Sequence, residues 1–159
     1  MQVGYTTLMK YYLMKSEPEC YSIDDLKKDK ITSWSGVRNY QARNFMMEMK
    51  KGDEILFYHS NAKEIGIAGI GTISKEAYPD HTAWDPKDEH YDAKITYGDP
   101  RWQMVDVRFT KKFPRIITLD TLKNTPALKN MITLRKGNRL SITPVTKKEF
   151  ETIVKLSEK

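Results

Sequence analysis

The segment WSGVRNY, residues 34–40, places an aromatic ring, a glycine turn and several polar side chains within seven positions. A second segment, FYHS, residues 57–60, closes an apolar run later in the chain. A planar heterocycle is bound by aromatic faces that stack on it and by hydrogen-bonding groups at its edge. The candidate stacking and edge residues are Trp34, Tyr58, Ser16, Asn39, His59 and Ser60. The pattern predicts a pocket for a flat ligand, with Arg38 available for a phosphate or carboxylate group.

Each of these residues also has an ordinary structural alternative. A tryptophan such as Trp34 can lie in a core with its ring N–H satisfied, and spacing alone supports both roles equally. His59 fits a buried, hydrogen-bonded imidazole as well as a ligand contact. Arg38 fits an internal ion pair as well as an anion site. The residue pattern by itself leaves these alternatives open.

The spacing of nucleophiles, bases and carboxylates does not support an enzyme. Ser16 and Ser60 lack the G-x-S-x-G context of a nucleophile elbow, and Glu17 and Glu19 fall in a proline-containing turn where carboxylates are common. Cys20 is the only cysteine, so a cysteine zinc cluster and an internal disulfide are excluded. The loop residues without metal-ligand spacing are His81, Asp85, Asp88, His90 and Asp92. We predict a non-catalytic protein with no metal and no cofactor.

The chain has a net charge of +6, and its positive charge is concentrated in the last third. Residues 101–159 hold fourteen Lys and Arg against five Asp and Glu, whereas residues 1–80 hold eleven of each. A one-sided basic surface favours a polyanionic partner such as nucleic acid, and lysines kept for solubility are the equal alternative. The candidate phosphate contacts are Lys111, Lys112, Arg115, Lys129, Arg135, Lys136 and Arg139.

Length and hydropathy indicate one compact domain. The chain has 159 residues, of which 39% are hydrophobic, and this is enough for a single core. No run approaches the roughly 18 apolar residues of a membrane helix, and residues 1–10 lack the features of a secretory signal. We expect no membrane partner and a cytosolic or nuclear compartment, with a cytoplasmic location as the working prediction.

Three segments carry helix start signals. Ser22 precedes a short helix, and Asn39 precedes one that extends to about Lys50. Thr146 and Glu149 form the pattern of a capping box before the C-terminal helix. Helices with short side chains at their caps are therefore expected at these three places.

Strand patterns occupy several short segments between the helices. They lie at residues 11–14, 54–60, 66–78, 102–109 and 115–119. Residues 54–60 are apolar in both phases, so both faces of that strand are expected to be covered. The glycines of GIAGIG fit bends or close backbone approach better than a dinucleotide loop. Residues 79–100 are polar and proline-rich and indicate a long surface loop. Together these elements predict an α+β domain around a curved or closed sheet.

Eight ordered motifs resemble the EVE domain family, which is part of the wider PUA-like group. They are YLMKSEPE (12–19), WSGVRNYQARNFM (34–46), FYHSN (57–61), GIAGIG (66–71), EAYPDHT (76–82), WQMVDVRF (102–109), LKNMITL (128–134) and RLSITPVT (139–146). The resemblance spans roughly residues 11–156.

The resemblance implies a PUA-like β-barrel, a curved mixed sheet flanked by short α-helices. It implies a single EVE domain over residues 11–159, preceded by an N-terminal extension at residues 1–10. It also implies a reader of a modified nucleobase in DNA or RNA, with a cytosine derivative as the expected base. The pocket positions carried over are Tyr12, Lys15, Ser16, Trp34, Val37, Arg38, Asn39, Tyr58, His59, Ser60, Arg139, Leu140 and Ser141.

Three positions depart from the family pattern. Tyr12 and Phe150 stand where relatives usually have tryptophan, and Ser35 stands where an aspartate is common. Phe150 is expected to affect packing alone, whereas Tyr12 and Ser35 are expected to change which base modification is preferred relative to close relatives. Two alternatives stay open: a pocket for a free nucleotide or small metabolite, and an accessory subunit of a nucleic-acid-modifying enzyme. The oligomeric state also stays open.

Overall fold

The computed structural model describes residues 8–159. The strands are β1 (Tyr11–Ser16), β2 (Ile31–Ser33), β3 (Glu54–His59), β4 (Gly66–Pro79), β5 (Gln103–Thr118) and β6 (Ile142–Val145). The α-helices are α1 (Ile23–Asp29), α2 (Tyr40–Glu48), α3 (Leu119–Lys123) and α4 (Lys147–Ser157). Short 3₁₀ helices lie at His81–Trp84, Pro126–Leu128 and Ile132–Leu134. The α+β class predicted from the sequence is confirmed.

The strands form one mixed sheet in the order β2-β5-β4-β3-β1-β6. Strand β1 runs parallel to β3, and the other neighbouring pairs are antiparallel. Within residues 8–159 the end strands β2 and β6 do not pair with each other, so the sheet remains open. The expected closure into a barrel is therefore absent from the strand pairing of this part of the chain.

Both faces of the sheet are covered, as the two-phase pattern of β3 predicts. Ile55 and Phe57 join Trp34 in a first core, which contains the apolar residues of α1 and α2. Leu56 and Tyr58 join a second core, which contains those of α3 and α4. Neighbouring strand residues enter different cores because successive side chains point to opposite faces of a sheet.

The three predicted helix caps are present. Ser22 caps α1 and Thr146 caps α4, each within a reciprocal capping box. The Asn39 side chain accepts a hydrogen bond from Ala42 N–H at the start of α2. Helix α2 ends at Glu48, two residues before the predicted end at Lys50. Caps are predictable from sequence because they depend on side chains within three residues of the helix start.

Strand β5 is a single element where the sequence predicts two. It runs for 16 residues and pairs with β4 through several shifts in register. Lys111 and Lys112 interrupt its apolar pattern, yet they pair with Ile70 and Gly69 of β4. The neighbouring strand supplies the hydrogen bonds that continue the element, so the division expected from the apolar pattern is wrong.

Two further features follow from close backbone approach and from strand length. A Cβ atom on Gly69 would collide with the Lys111 carbonyl oxygen of β5, which confirms the close-approach interpretation of this glycine. The edge strands β2 and β6 escape sequence-based prediction, because three or four residues are too few to show a period.

No helix within residues 8–159 is long and apolar enough to cross a membrane.

Candidate functional site

A pocket of about 330 Å³ opens beside Trp34, where the end of β1 meets the turn after β2 and the long loop 80–102. Its lining residues are Lys15, Ser16, Cys20, Tyr21, Thr32, Ser33, Trp34, Ser35, Glu89 and His90. Three of the predicted binding residues, Lys15, Ser16 and Trp34, are therefore brought together. They come from positions up to 75 residues away from His90, so only the fold assembles them.

Trp34 serves both the first core and the pocket wall. The residue is 8% exposed, and its indole packs edge-on against Phe57, with ring centroids 5.4 Å apart. Its main-chain N–H donates to the Val105 carbonyl of β5 at 2.7 Å. The ring is thus held rigidly by the sheet, and its remaining surface faces the pocket.

Ser16 and Lys15 stand at the C-terminal end of β1. The Ser16 hydroxyl donates to the Tyr21 carbonyl oxygen at 2.6 Å, which ties the strand to the chain that enters α1. Lys15 Nζ lies 5.6 Å from the Tyr58 ring centroid, and burial lowers the pKa of this amine. The Lys15 main-chain N–H donates to the Ser141 carbonyl at 2.8 Å. This bond continues the pairing of β1 with β6, and the predicted contacts Arg139, Leu140 and Ser141 are not among the residues that line the pocket.

Arg38 lies in a polar network behind the pocket. Its guanidinium contacts Asp80 at 3.0 Å and also donates to the Thr82 hydroxyl and the His90 carbonyl. Burial by itself would raise the pKa of Asp80, but hydrogen bonds from Thr82, Gly36 and Arg38 outweigh it and lower that pKa. The Asp80 carboxylate is therefore ionised and fixes the loop that carries His90.

Gly36 completes this arrangement because no side chain fits at its position. Its φ of 86° lies in the left-handed region, and an added Cβ would stand 2.8 Å from the imidazole of His90. Its N–H donates to Asp80 at 2.8 Å. The glycine lets the His90 ring close against the turn between β2 and α2.

Several predicted binding residues occupy structural positions instead of the pocket lining. Val37 is buried in the first core, and Asn39 caps α2. Tyr12 is 2% exposed within the first core and lies outside the pocket lining. Tyr58 is buried in the second core on the opposite face of the sheet from Trp34. The structure therefore provides one aromatic wall, Trp34, together with the ring of Tyr21.

His59 and Ser60 lie outside the pocket lining and hold neighbouring segments together by hydrogen bonds. His59 Nε2 accepts a hydrogen bond from Ile23 N–H at 3.1 Å, the first residue of α1. Burial lowers the pKa of His59, so the imidazole is neutral at this position. Ser60 N–H donates to the Ser16 carbonyl at 2.9 Å and holds the end of β1 against the chain after β3.

The pocket also contains residues that sequence reasoning does not select. They are Cys20, Tyr21, Thr32, Ser33, Ser35, Glu89 and His90. In the sequence, Ser35 stands out only as a departure from the family pattern. Tyr21 and Cys20 directly follow the SEPE turn, so their nearness to Ser16 is the available signal. Glu89 and His90 give no signal, since they reach the pocket from a distant loop.

The candidate phosphate contacts are all exposed. They are Lys111, Lys112, Arg115, Lys129, Arg135, Lys136 and Arg139. Lys112 pairs with Asp24 of α1, with 2.8 Å between Nζ and the carboxylate oxygen.

The fold and the pocket together define the class of protein. The EVE domain family matches residues 10–156, and this chain belongs to the EVE domain family. Human thymocyte nuclear protein 1 is 46% identical over 171 residues, covering 96% of this chain and 76% of the human protein.

Solved structures agree with this assignment. The crystal structure of human THYN1 protein in complex with DNA containing 5-methylcytosine matches with a TM-score of 0.88 and 47% identity. It covers 94% of this chain and 98% of that chain. A hypothetical protein from Leishmania major matches with a TM-score of 0.92 and 44% identity, covering 95% of this chain and 96% of that chain.

Proposed function

We propose that this chain binds DNA without catalysis and takes one cytosine base modified at its 5-position into the pocket beside Trp34. The single observation that carries the proposal is the open pocket at a rigid indole, in a chain similar to a protein crystallised with 5-methylcytosine DNA. The volume of about 330 Å³ lies at the small end of ligand sites, which suits one base.

The energetics require contributions beyond stacking. Extruding a base from a duplex costs a few kcal/mol, and one aromatic face returns about 1 to 3 kcal/mol. Since Tyr58 lies in the other core, Trp34 and Tyr21 supply the ring surfaces. Hydrogen bonds from the pocket and charge from the exposed lysines and arginines supply the remainder.

The preferred test fills the pocket without emptying the core. Trp34→Ala would remove a core ring and cost about 3 to 5 kcal/mol of stability, which would obscure any loss of binding. Ser35 is exposed and lines the pocket, so Ser35→Phe adds a ring to the cavity. Gln41→Phe adds the same ring on the exposed face of α2, outside the pocket lining, and is the matched control.

Fluorescence anisotropy with duplexes that differ only in one 5-methylcytosine or cytosine measures the effect. We expect the wild-type chain to bind the modified duplex more tightly, Ser35→Phe to lose this preference with an unchanged Tm, and Gln41→Phe to retain it. Equal affinity of the wild-type chain for the two duplexes would contradict the proposal. Competition by free 5-methylcytidine as strong as by the duplex would favour a small-metabolite pocket.

A further inference from the structure

The pocket wall formed by Ser16 and Tyr21 has a defined hydrogen-bond polarity. Ser16 Oγ donates its only proton to the Tyr21 carbonyl oxygen at 2.6 Å. Tyr21 Oη donates its only proton to a carboxylate oxygen of Asp29 at 2.8 Å. A hydroxyl group has one proton and two lone pairs, so both oxygens retain only acceptor capacity for a ligand.

Both bonds are anchored in secondary structure. Ser16, the donor of the first bond, is the last residue of β1. Asp29, the acceptor of the second bond, is the last residue of α1. The pKa of Tyr21 is raised to about 12, first by burial and also by its bond to Asp29, against an opposing hydrogen bond with Thr32. The phenol therefore keeps its proton at neutral pH, and that proton stays directed at Asp29.

We propose that this wall selects a base with an exocyclic amino group and thereby separates 5-methylcytosine from thymine. The inference rests on the proposed function. The two bases share the 5-methyl group, but cytosine carries an amino donor where thymine carries a carbonyl acceptor. An amino group can donate one N–H to each of Ser16 and Tyr21. A carbonyl group would instead place its lone pairs against the lone pairs of the Ser16 and Tyr21 oxygens. A site that leaves its polar groups unpaired in this way rejects the base.

Asp29 acts in this scheme as a positioning residue. It is exposed and lies outside the pocket lining, and its part is to hold the proton of Tyr21. Without the carboxylate, the Tyr21 hydroxyl can rotate and donate to the carbonyl of thymine. Loss of Asp29 should therefore strengthen thymine binding, which a merely structural role would not do.

The experiment uses one duplex in which 5-methylcytosine, thymine or cytosine stands opposite an abasic site. No base pair has to be broken in any of the three, so the cost of extrusion is nearly equal. We expect the wild-type chain to bind 5-methylcytosine at least about tenfold more tightly than thymine. Asp29→Ala should lower this ratio to about threefold or less, mainly through tighter thymine binding.

The matched control is Asp24→Ala. It removes a carboxylate from the same helix, and that carboxylate pairs with Lys112 instead of a pocket hydroxyl. In Asp24→Ala, the ratio of the affinity for 5-methylcytosine to the affinity for thymine should equal that of the wild-type chain. This holds even if freeing Lys112 changes every affinity by the same factor.

The outcomes separate the two proposals. Equal binding of 5-methylcytosine and thymine, with both above cytosine, overturns this inference and leaves the proposed function standing. An unchanged ratio in Asp29→Ala, with wild-type Tm, overturns it as well. Equal binding of 5-methylcytosine and cytosine overturns the proposed function itself.

Discussion

Tyr12 carries a buried hydroxyl group that has no hydrogen-bond partner among residues 8–159. Burial raises its pKa to about 12, and the nearby charges of Glu48 and Asp53 act in the same direction. A buried hydroxyl without a partner costs free energy that a phenyl ring does not. At this position the aromatic ring contributes to packing, and its oxygen does not.

Tyr12→Phe should therefore leave the free energy of unfolding unchanged or raise it by about 1 kcal/mol. Urea unfolding measures the difference, and Tyr21→Phe is the matched control because it removes a hydroxyl that is bonded to Asp29. The free energy of unfolding of Tyr21→Phe should be equal to that of the wild-type chain or lower. A clear loss of stability in Tyr12→Phe would show that its hydroxyl has a bonding partner, and the account of this residue would then be wrong.

At the scale of elements, the start of α1 depends on a neutral histidine from β3. His59 accepts the Ile23 N–H, one of the helix donors that has no partner within the helix. Burial holds the pKa of His59 below its usual 6.5. A protonated imidazole has no lone pair to accept this bond, so protonation removes this link between α1 and β3.

The stability of the fold should accordingly depend on pH in one direction. His59 is neutral in both the folded and unfolded chains well above pH 6.5, so its contribution is complete there. Below this value the unfolded chain takes up the proton first, and stability falls by at most about 1.4 kcal/mol per pH unit. Urea unfolding between about pH 5 and 8 measures this slope.

His59→Gln keeps an acceptor and removes the titration, so its stability should vary less over the same range. The chain has three histidines, and the comparison isolates one of them. A wild-type slope retained in full by His59→Gln would assign the pH dependence to other groups.

At the scale of the whole molecule, the proposed function assigns separate tasks to the basic C-terminal third and to the pocket. Phosphate contacts supply affinity that salt weakens, and base contacts supply selectivity. The exposed side chains of Lys111 and Arg115 lie on β5, away from the pocket lining. Their removal should therefore weaken binding without changing the choice of base.

The double substitution Lys111→Gln and Arg115→Gln should weaken 5-methylcytosine and cytosine duplexes equally. The slope of log affinity against log salt should fall by about one for each phosphate that the variant no longer neutralises. Lys147→Gln with Lys148→Gln removes the same charge from the exposed start of α4 and is the control. A salt slope that is the same for both double variants would remove β5 from the proposed track.

The sequence by itself determined the local features of this protein. Ser22, Asn39 and Thr146 start helices because a cap depends only on residues within one turn. The apolar phases of β3 likewise showed that both faces of the sheet are covered, because alternation is a property of the strand alone. The family motifs extended this to the fold class.

Only the tertiary structure decided which polar residues face the pocket. In the sequence, Arg38 and His59 fit either a ligand contact or an internal hydrogen bond; in the fold, Arg38 pairs with Asp80 and His59 accepts the N–H of Ile23. Tyr58 and Trp34 look like a pair in the sequence, yet they lie on opposite faces of the sheet. Glu89 enters the pocket from a loop more than fifty residues away from Trp34. Such contacts depend on strand pairing between distant segments, and no local period encodes which partner a buried polar group will find.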